Sequence, residues 1–141
     1  MADGKRRLSM CNEKYYEEQR IRVKKLFSKK HLCFVSPIEL ANWYIEQLKD
    51  SQCKCYYCNT SIHDINTLID AGLLKVRKTG YGFRGRILEI DKNDETYIRE
   101  NCVLSCYYCN NDKSYITSKD DYKNFFGNNR HEYFKLLISK L

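Results

Sequence analysis

Apolar positions recur every three or four residues along several stretches of the chain. Over residues 13–30, Tyr16, Ile21, Val23, Leu26 and Phe27 make a ragged stripe among Lys and Arg. No Pro or Gly interrupts them, so the spacing predicts a basic helix. A second helix is predicted over residues 37–49. Ser36 can accept from an early backbone N–H, Pro37 suits the first helical position, and Glu39 completes a capping box. Residues 61–71 read as a short helix closed by Gly72. Residues 118–126, opened by Ser118, and residues 129–140 read as two C-terminal helices.

The middle of the chain changes period. Residues 73–78 and 86–90 are β-prone, and the glycine-rich 79–85 lies between them, which predicts a hairpin. Another short helix is expected from about Asn110. The one internal echo is Cys-Tyr-Tyr-Cys-Asn, at 55–59 and again at 106–110. Strands and helices in this order give an α+β expectation.

Composition narrows the class. The chain has 141 residues, 43% apolar and 30% charged, with one Pro. That is one domain with an appended arm, and neither a disordered nor a collagen-like chain. No run approaches the roughly eighteen apolar residues of a membrane span, and no apolar stretch follows Met1–Arg7 as a secretory signal requires. The expectation is an intracellular protein with no membrane partner. Net charge is +7, and it is uneven. Residues 1–31 hold ten basic and four acidic side chains, whereas the remainder is nearly balanced. The organisation expected is a basic helical arm at 1–31, a core at 32–114 and packing helices at 115–141. A basic arm on a near-neutral body points to a polyanion, nucleic acid first.

Eight cysteines are many for this length. In a reducing compartment clustered cysteines read as metal ligands. Cys55-x2-Cys58 and Cys106-x2-Cys109 are two tight turns, each placing two thiolates on one side of an ion. Together they make a tetrahedral four-cysteine zinc site, closed and structural. Forty-seven residues separate Cys58 from Cys106, far more than the about 15–20 of a simple zinc ribbon. The insertion carries the basic segment with Lys75, Arg77, Lys78, Arg84 and Arg86, opposed by Glu89. As a β-ribbon it could enter a major groove, with Tyr81 and Phe83 stacking at a distorted step. Cys11, Cys33, Cys53 and Cys102 have no Cys-x2-Cys partner. They read as buried hydrophobes, as substitutes for a neighbouring ligand, or as part of a second site.

The stretch Leu88-Glu89-Ile90-Asp91, then Glu100-Asn101-Cys102-Val103-Leu104-Ser105-Cys106, then Cys109-Asn110-Asn111-Asp112-Lys113-Ser114 resembles the HNH, or ββα-metal, endonuclease family with zinc knuckles. The resemblance covers about residues 31–114. It implies a small zinc-stabilised ββα-metal core with flanking helices, in which Asp91 at the end of the second strand and Asn110 on the helix bind a catalytic Mg²⁺ or Mn²⁺. Their hard oxygens suit such an ion. The family's usual His after that Asp is Lys92 here. A protonated Lys beside phosphate stabilises charge and does not abstract a proton. In this the chain is similar to rare-cutting restriction enzymes of the family, which carry Arg at that position and begin cleavage with an upstream Tyr. By that likeness Tyr44, beside Trp43, is the initiating residue and His31 assists. The N-terminal zinc module of those enzymes, with two Cys-x2-Cys pairs, has no counterpart here. The implied activity is site-specific hydrolysis of double-stranded DNA by a homodimer. The alternatives are a monomeric nicking or non-specific nuclease, and a zinc-stabilised module that only binds nucleic acid.

Overall fold

Ser36 opens the longest buried helix as its sequence suggests. Its hydroxyl accepts from Glu39 N at 3.1 Å, and Pro37 begins the helix Pro37–Asp50. The Glu39 carboxylate reaches back to Val35 N, one residue before the cap. Leu40, Ala41, Tyr44, Ile45 and Leu48 follow one another at helical spacing and are all buried. Full burial of each large side chain stabilises the fold by about 1.5–3 kcal/mol.

The structure is a computed structural model that describes residues 11–27, 34–76, 79–92, 101–113 and 118–141; the side chains of residues 79–81 and Lys92 lie outside this description. In chain order the elements are α1 (Glu13–Leu26), α2 (Pro37–Asp50), α3 (Ile62–Asp70), a 3-10 segment (Thr79–Arg86), β1 (Leu88–Lys92), β2 (Cys102–Cys106), α4 (Tyr107–Asp112), α5 (Lys119–Tyr122) and α6 (Asn128–Ile138). Five residues of π-helix, Lys123–Gly127, join α5 to α6. The chain is thus α+β, with helices around one small sheet.

The basic helix α1 lies along α2 and buries Tyr15, Gln19 and Val23. Arg20 donates to Asn42, and Lys49 sits over the Tyr16 ring. The third helix is capped by Ser61 and ends at Gly72, whose φ of +75° only glycine adopts without strain. Leu73 N bonds to Leu68 O and Gly72 N to Ile69 O, the paired bonds of a Schellman stop.

The sheet differs from the expected hairpin. Leu88–Lys92 pairs antiparallel with Cys102–Cys106, matching Leu88 to Cys106 and Asp91 to Val103. Residues 73–76 form no strand, and 79–86 coil as a 3-10 segment. The arginines of that segment explain the change. Arg84 turns onto Glu89, and Arg86 reaches Asp70 and Asn66 on α3. The segment therefore folds against α3 and β1, and no ribbon projects. Asp91 lies near the end of the first strand of the pair, not the second.

The C-terminal helices are one nearly continuous rod that docks on the first knuckle. Lys123 donates to Tyr56 O, Gly127 packs on the Tyr57 backbone, and His131 Nδ1 donates to Cys58 O at 2.8 Å. Among the described residues no helix is long and apolar enough to cross a membrane.

Candidate functional site

The two Cys-x2-Cys turns face each other across the sheet. The first is shaped by Cys55 N bonding to Thr60 O, by Asn59 N bonding to Cys55 O and by a left-handed Asn59 at φ 55°. Tyr56 N bonds to Leu104 O, which ties this turn to β2. The second turn grows directly out of β2. Cys106 is the N-cap of α4, and its sulfur accepts from Cys109 N at 3.4 Å. The helix therefore starts at Tyr107, three residues earlier than expected. Backbone N–H groups and the positive helix end both favour a thiolate at Cys106.

The sulfurs of Cys55, Cys58, Cys106 and Cys109 all lie within 4.8 Å of one another, and all four residues are buried. Cys58 and Cys106 sulfurs are 4.0 Å apart. A tetrahedron of zinc–sulfur bonds places sulfurs about 3.8 Å apart. These four cysteines could hold a metal such as zinc, and their chemistry fits one. Hydrogen bonds from Cys106, Cys109 and Cys55 pull the Cys58 thiol down, while burial pushes Cys106 up. Four buried thiolates need a cation to coexist.

Beside the cysteines, residues of α4 and its C-cap meet β1 in a polar cluster. Glu89 and Asp91 share one face of the strand, being two residues apart. Asn110 and Lys113, three apart, share one face of α4. The two faces touch: Asn110 Nδ2 is 3.4 Å from Glu89 Oε1, and Lys113 Nζ is 3.5 Å from Asp91 Oδ2. Asp91 and Lys113 are buried. The Tyr57 hydroxyl donates to Asp91 in a short bond, and burial, with this carboxylate second, drives its pKa upward. Arg84 grips Glu89 through two nitrogens, at 2.8 and 3.2 Å, and lies over the Tyr107 ring.

Tyr44 sits elsewhere. It is fully buried, its hydroxyl donates to Leu88 O, and it accepts from Arg22 at 2.9 Å. Burial pushes its pKa up to about 12, against the lowering by Arg22. Its oxygen is thus engaged inside the α1–α2–β1 junction, three residues along the strand from Asp91.

Asn110 meets Glu89 and Lys113 meets Asp91 across β1 and α4, so the expected pair Asp91 and Asn110 lies on two elements joined through Glu89 and Lys113. Neither of these was singled out for the site, although both stand inside the motif quoted above. Lys75 and Phe83 are exposed, whereas Arg84 and Arg86 are in ion pairs. His31, Arg77, Lys78 and Cys33 lie outside the described residues, as do the side chains of Tyr81 and Lys92. Comparison with known proteins gives no match to any family model, curated protein or solved structure.

Proposed function

We propose that this chain is a metal-dependent endonuclease of the ββα-metal type acting on double-stranded DNA. The observation that carries the reading is the contact of the β1 face with the α4 face, where Glu89, Asp91 and Asn110 gather beside a four-cysteine knuckle. The three residues carry oxygen donors of the kind that hold Mg²⁺ or Mn²⁺. Bound there, such an ion would supply charge neutralisation at a scissile phosphate. Lys113 and Arg84 now neutralise the two carboxylates, and from those positions both cations can bind phosphate oxygens. The cysteine cluster fixes the register of β2 and α4 and so holds Asn110 and Lys113 over β1. Site-specific cutting by a homodimer is the form of this activity that the sequence likeness suggests.

One observation favours a second reading, a zinc-stabilised module that binds nucleic acid without cutting it. Asp91 is buried, and its Oδ2 is already engaged by Tyr57 and Lys113. An ion at Asp91 must compete with the nearby ammonium.

Supercoiled plasmid, incubated with Mg²⁺, Mn²⁺ or EDTA, separates the two. Discrete linear fragments that vanish with EDTA, and with Asp91→Ala or Asn110→Ala in folded protein, support the nuclease. Nicked circles alone support a monomeric nicking enzyme. Salt-dependent binding without cleavage sinks the enzyme reading and leaves the binding module.

A further inference from the structure

The structure draws together three donors far apart in sequence and outside the four-cysteine cluster. The sulfurs of Cys11 and Cys53 and an imidazole nitrogen of His63 all lie within 4.8 Å of one another. His63 Nε2 is 2.7 Å from Cys11 Sγ. Cys53 and His63 are buried, and Cys11 is half-buried. We propose that Cys11, Cys53 and His63 hold a second zinc ion, independent of the first.

Each ligand is positioned by the backbone at a helix end. Cys11 directly precedes Asn12, the N-cap of α1, whose side chain accepts from Tyr15 N. Gln52 and Cys53 are consecutive left-handed residues, at φ 56° and 59°. Non-glycine residues adopt that conformation only when their surroundings enforce it. Here Cys53 N bonds to Leu48 O and Cys53 O accepts from Ile62 N, both at 2.8 Å. His63 lies in the first turn of α3, with the Tyr15 ring set edge-on to it at 6.3 Å.

A disulfide is the competing use of the two cysteines. The structure pairs these two sulfurs as a disulfide, although their Cα atoms are 7.1 Å apart. Two cysteines more than about 7 Å apart are not bridged without backbone movement. A shared ion tolerates the wider span, and it accounts for the imidazole, which a disulfide does not need. Two thiolates and one imidazole suit zinc. Cys11 and His63 also border a cavity of about 750 Å³ lined by Asp64, His131 and Lys135. A fourth ligand would come from this cavity, as water or a small anion. The ion would fasten the start of α1 to the junction of α2 and α3, and so hold the basic helix against the body.

Zinc content, measured on the whole chain purified with reductant, tests the proposal. Two zinc ions per chain are expected, falling to one in both Cys11→Ser and His63→Ala with the circular dichroism of the fold retained. In the Co²⁺-loaded chain, thiolate-to-metal absorption should fall by about a third when Cys11 and Cys53 are both replaced, since two of six thiolates are lost. A single zinc in the unmodified chain overturns the site. So does a Cys11–Cys53 cross-linked peptide recovered by digestion without reductant, or two zinc ions persisting in both single variants. None of these readouts depends on DNA cleavage.

Discussion

Gly127 lies so close to the Tyr57 carbonyl that a β-carbon at 127 would stand 2.2 Å from the Tyr57 oxygen. This contact sits between Lys123 on Tyr56 O and His131 on Cys58 O. Positions 123, 127 and 131 are one helical face, and they bind three successive residues of the first metal knuckle. The C-terminal rod thereby supports the turn that carries Cys55 and Cys58.

Gly127→Ala should therefore destabilise the chain by about 1–3 kcal/mol or more, because backbone blocks the new methyl and cannot move aside cheaply. Gly82→Ala is the control. Its added carbon meets nothing within 4 Å, so its effect should stay within about 0.5 kcal/mol. Urea denaturation of both variants checks the difference.

The four-cysteine cluster should bind metal with folding-scale affinity. Cys106→Ser, or chelation of the native chain, is expected to abolish cooperative unfolding, since metal binding free energy is folding free energy in such sites. The ligands bind as thiolates, so metal is retained at high pH and released as pH falls. A zinc-release titration against a colorimetric chelator reads this directly, and a Cys106→Ser chain that unfolds as cooperatively as the native one would contradict it.

Tyr44→Phe separates packing from chemistry. Losing the hydroxyl between Arg22 and Leu88 O should cost about 1–2 kcal/mol and leave cleavage per folded molecule unchanged. Loss of cleavage with stability intact would instead give Tyr44 the initiating role. The raised pKa makes a further expectation. The folded state holds the Tyr44 proton up to about 12, while the unfolded chain releases it near the ordinary value of 10. Stability from this group is therefore full below about pH 10 and lost as pH rises toward 12. Tyr44→Phe should flatten that alkaline limb.

Lys113→Met should cost about 3–5 kcal/mol, because it strands the Asp91 carboxylate in a buried site. The double variant Lys113→Met with Asp91→Asn should recover part of the loss. Thermal melts of the full cycle measure the coupling, and additive single effects would show that the pair is not a unit.

For DNA binding, the exposed Lys75 and the ion-paired Arg84 should behave differently. Lys75→Ala should weaken binding across sequences and reduce the salt slope by about one, as a phosphate contact does. Arg84→Ala should lower stability as well as binding, since it removes two of the bonds to Glu89 along with a phosphate contact. Filter binding across a salt series, with melts alongside, distinguishes them.

Local chemistry made much of this molecule legible. Ser36 and Ser118 cap the helices they were expected to cap, and Ser61, read as the first residue of its helix, is that helix's cap. The Cys-x2-Cys turns converge because each is a short-range structure whose spacing already aims two sulfurs one way. The hairpin failed for the opposite reason. Three glycines and flanking β-prone residues suggest a tight turn, but the segment coils as a 3-10 helix, with Arg84 paired to nearby Glu89 and Arg86 to the distant Asp70 on α3. The strand Cys102–Cys106 carries no clean alternation, since α2, the first knuckle and β1 surround it and four of its five residues are buried.

The sequence by itself determined most of the helices, the Ser36 and Ser118 caps and the four cysteines that could hold a metal, all of which depend on neighbours within a few residues. The tertiary structure alone decided which strand pairs with Leu88–Lys92, that Tyr44 is enclosed beneath Arg22, and that Cys11, Cys53 and His63 meet. Each of those depends on contacts between residues 10 to 52 positions apart, and periodicity along the chain holds no record of what two distant segments find in each other.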